Sequence, residues 1–271
     1  MKKQHAENVF GSKLAAKKDI AAMLWPTLGA TVLFLLPIVL ISAALTAACG
    51  GASVEAVSKL SARQMLTYLG VYVLAHFFIV QPLYYGLTQF YALQRAGARP
   101  SVSTVTMCLS SFRLYFRSLR LALVILLFSV LWTIPLVIAC SAGFALYRYV
   151  LPNGFGWFVC LEIVIVALVA YLCMVMRYHC AYALMTEQPD LGCWEAVCLA
   201  ARKFRGHNRE MFSLTVSFMF WFIMTALIGG LLLVIVCPYF LLSVYHLFDR
   251  IRCVQIKIVR RETQQDGTKE E

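Results

Sequence analysis

The chain has 271 residues, 61% of them hydrophobic and 14% charged, with a mean hydropathy of +0.77. A soluble domain carries about 25% charged and about 45–50% apolar residues, so this composition excludes a water-soluble globule and leaves no length for a separate enzyme domain. The net charge is +11, but the basic residues hug the ends of apolar stretches, which points to anionic lipid headgroups rather than nucleic acid.

In chain order, residues 1–19 form a basic arm carrying Lys2, Lys3, Lys13, Lys17 and Lys18. The run from Ile20 to Val54 is free of charge. It exceeds the roughly 7–15 apolar residues of a secretory signal, so it reads as an uncleaved spanning helix. A bilayer core needs about 20 helical residues per crossing. On that measure residues 20–250 hold six predicted crossings, at 24–48, 65–93, 121–147, 155–176, 211–228 and 231–250. Two links between them are short: an outer loop with Gly50-Gly51, Glu55 and Lys59, and a turn at Leu151-Pro152-Asn153-Gly154. The last two crossings share an uncharged run, Met211 to Phe248, which one helix would stretch to about 57 Å. Gly229-Gly230 divides that run, and Pro238 is expected to break the final helix. Residues 251–271 are a polar tail.

Basic residues give the orientation. The arm has five Lys and Arg. The second-to-third and fourth-to-fifth connections have five each, and the tail has six. Only Lys59, Arg63 and Arg148 fall on the opposite face. By the positive-inside rule both ends are cytoplasmic, which requires an even number of crossings. The predicted fold is therefore an all-α polytopic membrane bundle, N-in and C-in, of a bacterial cytoplasmic membrane.

Two of the basic connections are patterned. Between Val102 and Leu119, Val105, Leu109, Phe112, Phe116 and Leu119 recur at helical spacing beside Arg113, Arg117 and Arg120. Between Asp190 and Phe204, Leu191, Trp194, Val197, Cys198, Ala201 and Phe204 share a face, with Asp190 as the expected N-cap and Arg202, Lys203 and Arg205 following. Each reads as an amphipathic helix lying in the headgroup region; the alternative is that each begins the next crossing. The six basic residues are the candidate contacts to anionic lipid, and a membrane-protein partner is the other expected class of contact.

Polar groups inside the crossings are few. Glu162 is the one acidic residue well inside a predicted crossing, and His76 and Gln81 lie at comparable depth on the second. An intramembrane carboxylate needs a partner. The three residues define either a proton or cation seam, as in a small transporter or channel, or a structural bond between helices. His207, in Arg205-Gly206-His207-Asn208-Arg209, sits in a glycine turn before the fifth crossing.

Signatures of enzymes are missing: HExxH, GxxxxGK[ST] and GxSxG do not occur. The ten cysteines form no CxxC pair and no zinc spacing, and they read as free thiols in a packed bundle. No cofactor or metal is expected. The reading is a non-enzymatic envelope or accessory protein that engages anionic lipid through its basic inner face.

Several stretches carry a family likeness. They include Gln81-Pro82-Leu83-Tyr84-Tyr85-Gly86, Leu131-Trp132-Thr133-Ile134-Pro135, and Tyr182, Glu187, Pro189 and Glu195-Ala196 ahead of Gly206-His207. Phe212-Ser213-Leu214, Ser217-Phe218, Trp221 and Pro238-Tyr239 complete it. Together they resemble the bacterial membrane-protein family known as domain of unknown function 975, over Lys13 to Arg250. Leu136 and Phe220 stand where that family usually has glycine. The resemblance implies a multi-helix integral membrane protein and transfers no catalytic residue.

Overall fold

The structure, a computed structural model, describes residues 2–48, 61–150 and 153–267, with side chains over 7–48, 61–150 and 153–251. The expected Gly50-Gly51 loop with Glu55 and Lys59, the Leu151-Pro152 half of the turn and the tail side chains beyond Ile251 lie outside these residues. Among the described residues every regular element is helical. The helices are α1 (Lys2–Ala22), α2 (Leu24–Ala48), α3 (Ala62–Ala75), α4 (Gln81–Arg95), α5 (Met107–Ser110), α6 (Phe112–Ala145), α7 (Gly154–Glu187), α8 (Cys193–Lys203), α9 (Asn208–Leu227) and α10 (Leu233–Gly267). Six segments are long and apolar enough to cross a membrane, the number expected: Leu24–Ala48, Ala62–Arg95, Phe112–Val150, Gly154–Glu187, Asn208–Leu227 and Leu233–Ile251. The chain divides into two compact units, residues 19–123 and residues 1–18 with 124–271.

Within residues 19–123, α3 and α4 run as one rod through a π-helical turn, His76–Val80. Its cause is Pro82, which has no N–H to give the Phe78 carbonyl four residues back. The Tyr115 hydroxyl donates to that carbonyl instead, at 3.0 Å. Gln94 ties α4 to α2, its Nε2 donating to Thr27 Oγ1 at 2.9 Å and to the Asp19 carbonyl at 2.8 Å. The hydroxyls of Thr31 and Tyr91 meet 2.9 Å apart in the same buried seam. Against α4 packs a 3-10 turn, Val102–Thr106, with Val105 and Cys108 fully buried. Burial pushes the Cys108 thiol up to about 12, so it is an inert core group.

The amphipathic helix expected over Val102 to Leu119 is not one helix. The 3-10 turn and the single turn of α5 end at Ser111, whose backbone is extended (φ −120, ψ 111), and Phe112 opens a helix that continues as the third crossing. Two local forces explain the break. Ser110 Oγ bonds back to the Met107 carbonyl at 2.8 Å, a serine habit that competes with helix propagation. Val105 is also held against Gly86, where backbone meets backbone.

In the unit of residues 1–18 and 124–271 the basic arm is itself helical, with Val9, Ser12 and Ala16 buried at spacings of three and four. The helices α7, α8, α9 and α10 supply the remaining core, in which Phe204 meets Phe248 at 5.5 Å with the rings tilted and Phe218 meets Phe240 at 5.2 Å. Asn153 caps α7, its Oδ1 accepting from the Gly156 N–H at 2.8 Å. The α8 helix starts later than expected: Gly192, not Asp190, is its N-cap, because Pro189 and Asp190 are spent in a turn that closes from Leu191 N–H to the Gln188 carbonyl. Gly229 and Gly230, at φ 68° and 87°, end α9 as expected. Their N–H groups bond the Ala226 and Thr225 carbonyls, a left-handed cap that a side chain would strain. Pro238 does not break α10, contrary to expectation. It costs one bond in the second turn, and Val236, Phe240 and Leu241 are buried around it.

Gly86 has no room for a methyl group. An added Cβ would strike the Val105 carbonyl, with its carbon 2.7 Å away. Gly86→Ala is therefore expected to destabilise residues 19–123 by about 1–3 kcal/mol, as overpacking does. Thermal unfolding of the purified protein in detergent reads it; an unchanged midpoint would show that the 3-10 turn does not hold its place against α4.

Candidate functional site

The residues singled out by sequence fall in four places. Glu162 is exposed on α7, in the unit of residues 1–18 and 124–271. His76 and Gln81 belong to the other unit. They bracket the π-helical turn, the Gln81 N–H donating to the His76 carbonyl, and both are half-buried. The His76 ring stacks on Tyr72 at 5.8 Å.

Arg113, Arg117 and Arg120 lie on the first turns of α6, four and three residues apart, and so form one stripe. Arg113 and Arg120 are exposed, and Arg117 is half-buried. Beside them Phe112 is 80% exposed and Phe116 43%, their rings 4.5 Å apart. The helix therefore presents aromatic and cationic side chains together.

Arg202 and Lys203 occupy the last turn of α8, where cations suit the negative end of the helix dipole. Arg205 follows and is exposed. The buried face of α8 is Ala196, Val197 and Ala200, closed by Phe204. Trp194 stands outside it, 56% exposed, with its ring 5.2 Å from Phe128.

A further polar cluster had no warning in the composition. Glu210, in the first turn of α9, is 1% exposed. Its Oε1 accepts from Asn8 Nδ2 at 3.1 Å, and its Oε2 lies 2.7 Å from His207 Nδ1. With Glu210 ionised, the ring nitrogen is the donor in this pair. The same stretch of α1 makes two more attachments. The Arg250 guanidinium lies over Gly11, filling the space a Cβ would take. Lys13 Nζ sits 4.8 Å from the centre of the Phe218 ring. Burial holds the Lys13 ammonium below its usual range. Residues 207 and 210 share the spacing of a reciprocal helix cap, which is the one signal the sequence offered. Asn8 comes from 202 positions away, beyond any local pattern. Among the described residues no three of His, Cys, Asp and Glu converge as a metal ion requires.

The model of the family described as "Protein of unknown function (DUF975)" matches residues 15–255. The chain belongs to that family, as the dispersed likeness implied. No curated protein and no solved structure matches it.

Replacing Glu210 by alanine would leave the Asn8 amide and the His207 ring without their acceptor. The expected loss is about 1–3 kcal/mol of stability, the usual cost of stranding buried polar groups. Glu210→Gln should lose less, since its amide oxygen still accepts. Melting curves of the two variants decide; equal midpoints for wild type and Glu210→Ala would mean that α1 is held by other contacts.

Proposed function

We propose that this protein is a non-enzymatic, multi-pass component of a bacterial cytoplasmic membrane that gathers anionic lipid along its basic inner face. Both ends are cytoplasmic in this reading, and α8 and the opening turns of α6 lie at headgroup depth. The observation that carries it is the pairing of exposed Phe112 and Phe116 with Arg113, Arg117 and Arg120. Aromatic rings and guanidinium groups side by side suit the boundary between hydrocarbon and phosphate. On α8, exposed Trp194 stands at the start and Arg202 and Lys203 at the end, with Arg205 just beyond. Each basic residue close to an anionic surface contributes about 1 kcal/mol, less what salt screens.

Neutralising Arg113, Arg117 and Arg120 together to glutamine should lower the preference for phosphatidylglycerol over phosphatidylcholine about tenfold or more, with membrane insertion unchanged. Quenching of tryptophan fluorescence by brominated forms of the two lipids measures that preference. The wild-type preference should fall as salt rises, and the triple variant should respond little. An unaltered preference in the variant would remove the basis of the reading.

A further inference from the structure

Within residues 124–271 the faces of α6 and α7 leave a groove of about 190 Å³. Pro135 and Ala139 form one wall and Ala167 and Ala170 the other, while Trp132 and Met174 close one end. Three of these six side chains stop at Cβ, which is why two long helices can pack and still leave a hollow. Pro135 and Ala170 are exposed, so the groove opens sideways, toward the space that acyl chains fill in a bilayer.

Its closed end carries a cation. Arg177 follows Met174 by one turn of α7, and its guanidinium lies 5.9 Å from the centre of the Trp132 ring and 5.6 Å from that of Tyr178. The polar contacts of this side chain are long: Nε to the Met174 carbonyl and Nη1 to Asn208 Oδ1, both 3.5 Å. Among the described residues no carboxylate pairs with it. Tyr178 is buried beside it. Its hydroxyl accepts from Trp132 Nε1 at 2.9 Å and so keeps its own proton to donate. Phe128 stacks on Tyr178 at 5.0 Å and meets Trp194 at 5.2 Å, which gives this end the aromatic collar of a membrane boundary.

Along one line of the surface, then, a cation without a carboxylate is followed by a narrow apolar trough. We propose that the groove holds an acyl chain of one anionic glycerophospholipid, whose phosphate sits on Arg177 with the Tyr178 hydroxyl as a second donor. Charge complementarity selects this occupant. A free phosphate would leave the trough empty, a neutral hydrocarbon would leave Arg177 unanswered, and among the described residues no carboxylate pairs with Arg177 that could receive a choline ammonium. The proposal rests on the reading that the chain engages anionic lipid, and narrows it to a single molecule held by residues other than those of the Arg113–Arg120 stripe.

Native mass spectrometry of the full-length protein, released from phosphatidylglycerol–phosphatidylcholine nanodiscs, tests it. Wild type should retain one phosphatidylglycerol per chain under activation that strips the rest. Arg177→Gln should reduce that retained lipid at least tenfold. Ala167→Phe, which fills the trough and spares Arg177, should do the same. If the phenylalanine variant does not fold, added phosphatidylglycerol should still raise the melting temperature of wild type and not of Arg177→Gln. Retention by Arg177→Gln equal to wild type overturns the proposal, as does equal retention of phosphatidylcholine. The triple glutamine variant of the stripe separates the two ideas. If it alone loses the retained lipid, the stripe stands and the groove falls. If it keeps that lipid and its bulk lipid preference while Arg177→Gln loses the lipid, the groove stands and the stripe falls.

Discussion

A bilayer offers no hydrogen bonds, and that constraint orders this chain. Every peptide group at membrane depth has to be satisfied from within, so the crossings are helices, and each proline in them raises the question of where a freed carbonyl finds its donor. Pro82 gives the clearest answer: the helix widens into a π turn and Tyr115 supplies the missing donor to Phe78. Pro238 sits early enough in α10, amid buried neighbours, for the loss to be absorbed. The breadth of apolar surface on α2, α6 and α7 follows from the same constraint, because lipid is the solvent those faces meet.

The polar groups answer to the other half of the problem. Glu210 is buried yet fully supplied, with a ring nitrogen on one oxygen and an amide on the other. Those bonds turn a basic, superficially loose amino-terminal segment into a packed helix, which Gly11 and Lys13 then fasten further. Several other cations stay at the surface or half-buried. Arg113 and Arg120 are exposed beside aromatic rings, and Arg177 rests on rings rather than on a carboxylate. Among the described residues the one buried carboxylate serves internal order, while Arg113 and Arg120 stay exposed.

Much of the architecture was legible in the amino-acid order because hydropathy is read residue by residue. The six apolar segments, the Gly229-Gly230 break and the Asn153 turn all rest on local composition. What stayed hidden depends on contacts between distant positions. The break at Ser111 needs Val105 to find Gly86, the π turn needs Tyr115 to find Phe78, and the Glu210 cluster needs Asn8. Periodicity also put Trp194 and Val197 on one face of α8, whereas only Val197 is buried. The helix turns its small residues, Ala196 and Ala200, to the core, because close packing outranks hydropathy there. The expectation of a seam around Glu162, His76 and Gln81 rests on depth along the helices, and depth does not say which way a side chain points.

In the proposed orientation cations are barred from crossing, so the amino-terminal helix and the end of α10 would share the cytoplasm. Fluorescent reporters that mature only in the cytoplasm, fused in turn to residue 1 and residue 271 of the intact chain, measure this directly. Fluorescence from both fusions is the predicted result. A dark reporter at one end and a bright one at the other would mean an odd number of crossings, and would contradict the account at its root.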